Sequence, residues 1–492
     1  MPTETVQGRL VDENGSPLAN LVVAVYAEAL YARLLANGTT TQNGDFTVTY
    51  TRSVLDDGVY VNIFDPVKRL LYESPFYTDI TDPVVGLPKT ITLRQADITG
   101  WLVTLGRGVP QKLSTQNLVT PIIDNAEAWK ALVQAVQLSH GSLRFLIHYF
   151  DVGRIVVQFN PPYEPPPGKL VPIGFVGTPA TGHRLEEEIL NANRAPRGVW
   201  CWIVINDFPL PWADTAAQVE DYFIEQNKRS PHTVKVARFK VPQVTPMHAK
   251  IVVAGQPSGN YTAFIPASGL IQEYFDGQAH AIDDPRRGER DLTNVIKVPV
   301  HDVSVSLEGP AVNNLDETIR LYWDELNPTS PMPRVPAASP AGTDAVQIVR
   351  TIPANRFSSL GTKGETGILE AYQRAFAEAE SYIYLETQYL VEPAVGDSLY
   401  LALERKSALQ LIIALNTNVD VPRYVRWQTA LLQKLQRELE KIGATDRFGV
   451  FTLWTHDQTS AAGAMRDRMV RNYIHSKCAI VADKWDTIGS AN

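Results

Sequence analysis

The chain is predicted to be an α/β protein of mixed sheets covered by helices, preceded by an all-β sandwich. Up to about residue 97, short runs of β-branched and aromatic residues are separated by glycine-containing turns. From about residue 114, helix-period and strand-period patterns alternate, the pattern of α/β layers. Two His-x-Lys triplets, His248-Ala249-Lys250 and His475-Ser476-Lys477, lie 227 residues apart.

In chain order, Leu21–Tyr26, Phe46–Tyr50 and Val59–Phe64 read as short strands. Asn14-Gly15, Asn37-Gly38, Asn43-Gly44 and Asp57-Gly58 read as turns, because these residues tolerate positive φ. A sandwich over residues 1–97 is the natural solution. The run Gly8–Leu18, followed by Thr41–Phe46, resembles the transthyretin-like or carboxypeptidase-regulatory sandwich, a resemblance that implies scaffolding or recognition and no chemistry of its own. Trp129, Leu132, Val133 and Val136 then recur at i, i+3, i+4 and i+7, the spacing of an amphipathic helix between Asn125 and Leu138. Gly141 ends it, and Leu143–Phe150 reads as a buried strand in which His148 is a packed or edge residue. Ala195–Ile205 gives another turn and strand. The prolines between Asn327 and Pro340 oppose regular helix and predict the connection between lobes.

Composition bounds the function. A length of 492 residues with 44% hydrophobic content suffices for several cores, and the formal charge of −8 argues mildly against duplex nucleic acid as the main partner. Two cysteines provide no disulfide framework. No apolar span is long enough to cross a bilayer and Met1-Pro2-Thr3-Glu4 does not open a signal peptide, so a cytoplasmic protein is the default, with signal-independent export as the alternative. No HExxH or paired Cys/His spacing predicts a metal, and no cofactor is implied.

The chemistry concentrates in the two triplets. A strand points residues i and i+2 to one face, so each histidine projects beside its lysine. Imidazole serves as nucleophile or proton donor near neutral pH, and ammonium offsets charge on a transferring phosphoryl group. Around His475 and Lys477 the run continues through Asp483 to Gly489-Ser490-Ala491-Asn492. This resembles the HxKxxxxDxxxxxxGSxN signature of the phospholipase D superfamily. The signature's aspartate position is Ala482, one residue before Asp483, so Asp483 is either a shifted substitute or a solvated turn residue. In the first copy Gly255 stands at the aspartate position, and Ala267-Ser268-Gly269-Leu270 matches GSxN with Leu270 in place of the amide.

The resemblance extends further. His301-Asp302 through Val312 to Trp323 looks like the strand and helix that close the first lobe, with a structural role expected for the His-Asp pair. Val346–Thr351 looks like the strand opening the second lobe, and Tyr382–Tyr389 resembles the family's IYIENQYF segment. Glu386 and Gln388 share one strand face, lining the cleft or packing at the core edge. The resemblance implies two phospholipase D-like lobes, over 114–326 and 346–492, nearest the phospholipid-cleaving branch. It also implies further chain beyond Asn492. Its expected substrate is a phospholipid met at a membrane surface, attacked by one histidine to give a phosphohistidine while the other protonates the leaving oxygen. His248 is the expected nucleophile and His475 the acid, with the reverse assignment also credible. Lys250, Lys477 and Asn492 would hold the non-bridging oxygens, and Ser490 would bring a hydroxyl to the same place. Two imidazoles starting in opposite protonation states predict a bell-shaped pH profile. A nuclease on the same fold and a degenerate enzyme acting as a binding module are the alternatives.

Overall fold

The computed structural model describes residues 3–491 except 29–31, 52–57, 67–69, 75–88, 94–100, 104–112, 153–156, 159–181, 209–213, 230–233, 241–245, 288–297, 361–363 and a few single or paired positions.

Residues 3–93 contribute two small sheets. One has the order Asp45–Thr51, Thr3–Asp12, Thr90–Leu93, and the other Ala32–Thr39, Val22–Glu28, Val59–Phe64, Leu70–Glu73. Strand Asp45–Thr51 alternates exposed and buried along its whole length, so Phe46, Val48 and Tyr50 all turn inward. They meet Val23, Val25, Val61 and Ile63 of the other sheet in one core. Gly44 needs to be glycine: its φ is +78°, and a Cβ would overlap the Leu10 carbonyl oxygen. Asn37-Gly38, expected as a turn, lies inside strand Ala32–Thr39, where Gly38 pairs with Val23. Asp57 of the Asp57-Gly58 pair lies outside the described residues.

An eight-stranded mixed sheet follows. Its order is Val234–Phe239, Trp200–Asn206, Ser142–Ile147, Ile251–Gly255, Tyr261–Ile265, Val303–Glu308, Leu113–Ile123, Asp344–Gln347. Strand alternation sends side chains to two cores. Leu143, Phe145 and Ile147 pack under Trp129, Leu132, Val133 and Val136 of helix Asn125–Gln137. Leu146 turns the other way, toward Leu315, Ile319 and Trp323 of helix Val312–Leu326. Burying each large apolar side chain stabilises by roughly 1.5–3 kcal/mol, which fixes each helix on its apolar face. On that second face Arg144 pairs with Asp316 of helix Val312–Leu326, both almost fully buried.

A five-stranded sheet, Phe448–Phe451, Gln410–Leu415, Tyr382–Thr387, Lys477–Val481, Trp485–Ile488, repeats the plan of the first five strands above. Both sequences run parallel, parallel, antiparallel, antiparallel. Strands Ile251–Gly255 and Lys477–Val481 are therefore equivalent, and each carries a His-x-Lys pair at its N-terminal end. Helices Gly367–Glu378, Pro393–Arg405 and Tyr424–Lys441 cover this sheet around Phe376, Leu399, Leu403 and Leu435.

Two expectations change. Strand Asp344–Gln347 pairs with Leu113–Ile123 at the edge of the first sheet and does not open the second. The proline-rich segment folds back onto the first lobe: Met332 and Val335 are buried beside Trp323, whose Nε1 donates to the Ser330 carbonyl. The two sheets meet where Val300–His301 pairs in parallel with Tyr473–Ile474. Among the described residues no helix is long and apolar enough to cross a membrane.

Candidate active site

The sheet contact at Val300–His301 brings the motifs together. The His301 carbonyl accepts from the His475 amide at 2.8 Å, so the first lobe holds the backbone of the second motif. The His475 side chain is anchored from the same direction, its Nδ1 lying 2.9 Å from Asp302 Oδ2. Lys477 Nζ donates to the His475 carbonyl, and the Tyr274 ring lies against the imidazole at 4.5 Å. In the first motif His248 Nδ1 lies 2.7 Å from the Ser490 carbonyl oxygen, which can only accept, so this nitrogen carries the proton. Lys250 Nζ stands 3.3–3.4 Å from both nitrogens of His248 and donates to its carbonyl at 2.9 Å. Each histidine thus has Nδ1 engaged by the opposite lobe, which leaves Nε2 for chemistry.

Sequence-predicted residues fall into three groups. His248, Lys250, His475 and Lys477 converge. Ser490 also reaches the site, but through its main-chain carbonyl. Asp483 does not: it sits in the exposed hairpin after Lys477–Val481, with Ala482 and Asp483 both at positive φ, and accepts from the Tyr382 hydroxyl. Strand parity and the two-residue turn carry it away from His475. Asn492 lies outside the described residues. Gly255 leaves no space for a side chain, because a Cβ there would overlap the His140 carbonyl oxygen. Leu270 is packed in the first-lobe core and supplies no polar group.

Asp302, expected to be structural, is the acid that faces His475, and sequence reasoning did not place it there. Its signal was a carboxylate in a valine-rich run, Val298, Val300, Val303 and Val305, and the structure buries it completely. Glu386 belongs to the cleft network. It accepts from Tyr384 at 2.6 Å and from the Ser476 hydroxyl, and lies 3.2 Å from His301 Nε2. Gln388 supports the wall, donating to Tyr473 and Tyr389 at 2.8 Å each. His148 is packed as expected, yet its ring sits edge-on to His248 at 4.7 Å while Nδ1 bonds the Met247 carbonyl.

The electrostatics are those of a crowded cationic pocket. Burial, then Lys250 and His148, push the His248 pKa well below the ordinary imidazole value. Burial and Lys477 lower His475 to about 4, against the pull of Asp302. Burial and Lys477 likewise depress Lys250. For Asp302 burial acts to raise the pKa, but His475 and Lys477 outweigh it and hold the carboxyl below its usual value. Both rings are therefore neutral near pH 7, whereas the sequence reading asked for opposite charge states.

An oxyanion placed between Lys250 and Lys477 reverses this balance, because a negative charge a few ångströms away favours protonated imidazole. At pH 6 a ring whose pKa lies well below 6.5 is unprotonated, so anion binding must take up protons. Sulfate, which itself carries no titrating proton there, is expected to show net proton uptake in calorimetric titrations across buffers of different ionisation enthalpy. The uptake should shrink in His248→Gln; buffer-independent heats would contradict it.

A duplicated α/β sheet with one His-x-Lys pair entering a shared cleft from each copy defines the class of this protein. No family model matches the chain. It is 25% identical over 232 residues to Phospholipase D A of Dictyostelium discoideum, covering 41% of this chain and 18% of that protein. Over that stretch the chain is similar to a phospholipase D. Its match spans less than a fifth of that relative's length. Among solved structures, phosphatidylserine synthase of Haemophilus influenzae aligns with 74% of this chain and 76% of its own, at 11% identity and a TM-score of 0.42. Yeast tyrosyl-DNA phosphodiesterase aligns over 76% and 84% of the two chains, at 13% identity and a TM-score of 0.36.

Proposed function

We propose that the protein is a phosphodiesterase of phospholipase D type, which hydrolyses or transfers phospholipid head groups through a phosphohistidine intermediate. One observation carries the reading: each of the two histidines is held through Nδ1 by the opposite lobe, and those Nδ1 partners differ in charge. A carbonyl behind His248 fixes its tautomer and leaves a neutral nucleophile with its lone pair on Nε2. A carboxylate behind His475 favours imidazolium once a phosphate is present, which suits the acid. In the first step His248 Nε2 bonds to phosphorus, the bond to the leaving alcohol oxygen breaks, and His475 gives that oxygen its proton. In the second, His475 takes a proton from water or an acceptor alcohol, whose oxygen bonds phosphorus as the N–P bond breaks. Lys250 and Lys477 neutralise the non-bridging oxygens.

In this reading the eight-stranded sheet and its helices, from about residue 114 through Asp344–Gln347, and the five-stranded sheet and its helices, from Gly367 on, are the two catalytic lobes, and residues 1–97 form a transthyretin-like scaffolding module. Contact with the membrane surface is transient. The test is incubation of the chain with phosphatidylcholine vesicles and ethanol, with phosphatidylethanol measured by mass spectrometry. Product from the parent and none from His248→Ala or His475→Ala is expected. Salt-sensitive cleavage of DNA or RNA without lipid turnover would move the same site to a nucleic-acid substrate. Ligand binding undiminished in both variants, with no turnover in the parent, would make it a binding module.

A further inference from the structure

One residue before Asp302, a second group of titratable side chains converges that the reaction scheme does not use. Asp124 is 2% exposed and faces two imidazoles. Its Oδ1 lies 3.0 Å from His301 Nδ1, and its Oδ2 lies 3.7 Å from His280 Nε2. One ligand atom from each of the three residues falls within 4.8 Å of the others. A tetrahedral ion with bonds of roughly 2.0–2.2 Å spaces its ligands about 3.3–3.6 Å apart, a spacing bracketed by these two contacts, which are made to the two different oxygens of Asp124.

The outer contacts carry the argument further. Histidines that bind metal turn their other ring nitrogen to a carboxylate or carbonyl, which sets the tautomer and orients the ring. Both rings do so here. His301 Nε2 is 3.2 Å from Glu386 Oε1, and His280 Nδ1 is 3.2 Å from Asp276 Oδ2. Those carboxylates are themselves fixed: Asp276 accepts the Val300 amide at 2.6 Å and the Gly277 amide at 2.8 Å, and Glu386 accepts the Tyr384 hydroxyl at 2.6 Å. A protonated His301 bridging Asp124 and Glu386 would account for one ring. It leaves the second ring turned toward Asp124 with Nε2 at 3.7 Å, beyond hydrogen-bond reach, while Asp276, which also pairs with Arg287 at 3.2 Å, stands behind its Nδ1.

We propose that Asp124, His280 and His301 form a binding site for a divalent transition ion of the zinc type, held by two imidazole nitrogens and one carboxylate. Three protein ligands leave a fourth position for water. The site stands apart from phosphoryl transfer and acts on position. Asp124, His280 and His301 belong to the first lobe, whereas Glu386 and Ser476 belong to the second. The His301 carbonyl holds the His475 amide, so a bound ion pins the backbone of the second motif. Occupancy therefore stiffens the junction that aligns the two histidines.

The experiment uses the full chain, stripped with chelator and titrated with Zn2+ by calorimetry and with Co2+ by visible absorption. One ion per chain, a Co2+ d–d band of tetrahedral intensity and a Zn2+-dependent rise in melting temperature are expected. His280→Ala should lose the band and the thermal shift while keeping the turnover of the chelator-treated parent. Asp276→Asn, which leaves all three ligands in place, should weaken binding by ~10–100-fold, and it serves as the test if His280→Ala does not fold. No stoichiometric uptake at micromolar ion, or uptake unchanged in both variants, would overturn the proposal.

Discussion

His475→Ala is expected to lose roughly 10²–10⁴-fold in phospholipid turnover, the contribution of a positioned general acid, and His248→Ala to lose at least as much. The loss alone does not separate the roles; the leaving group does. An alkoxide leaves only with a proton, whereas p-nitrophenolate leaves without one. With a p-nitrophenyl phosphodiester, His475→Ala should therefore release close to one equivalent of p-nitrophenol per chain in a burst and then stall. It stalls because no base remains to activate water, so the His248 phosphoramidate accumulates and appears as a mass adduct on the intact chain. His248→Ala should give neither burst nor adduct on either substrate. A burst confined to His248→Ala would exchange the two assignments, and equal silence from both would remove the covalent intermediate. The expectation follows from the Nδ1 partners, Asp302 for one ring and the Ser490 carbonyl for the other.

What the sequence made legible was whatever depends on neighbours along the chain. Helix Asn125–Gln137 follows from four apolar residues whose spacing puts them on one face, and all four do enter one core. Strands Val22–Glu28, Asp45–Thr51 and Val59–Phe64 follow equally from local runs. The His-x-Lys pairs were visible because strand parity fixes the relation between residues i and i+2. Asp302 was not visible as the partner of His475, because 173 residues separate them and only the pairing of Val300–His301 with Tyr473–Ile474 brings them together. Asp483 shows the converse failure: spacing that nearly matches a motif says nothing about a turn that reverses the side chain's direction. Asn37-Gly38 has turn chemistry, yet cross-strand pairing with Val23 and Ala24 outweighs it. The proline-rich segment was read correctly as non-helical, but its burial against Trp323 depends on a tertiary groove that composition does not reveal.

Gly255→Asp tests whether the first motif is a degraded copy that one substitution repairs. Read along the sequence, aspartate at this position restores a missing letter. The structure argues the opposite. Gly255 closes a fully buried strand, its carbonyl accepts the His140 amide at 2.9 Å, and any Cβ would overlap the His140 carbonyl oxygen. Overpacking of this kind costs about 1–3 kcal/mol, and placing an unpaired carboxylate there adds several more. For a unit of this size each kcal/mol lowers the melting temperature by about 2–4 °C, so Gly255→Asp should melt at least ~10 °C below the parent, with no gain in kcat. Gly255→Ala, which adds the clash without the charge, should fall between the two. A Gly255→Asp protein with unchanged melting temperature and higher kcat would mean that the acid is missing from the chemistry. The geometry assigns position 255 instead to packing: the carboxylate that pairs with a motif histidine is Asp302, between strands Val300–His301 and Val303–Glu308, and it meets His475, while the first motif needs the glycine so that strand Ile251–Gly255 can lie against the turn before Ser142–Ile147 and set His248 and Lys250 at its head.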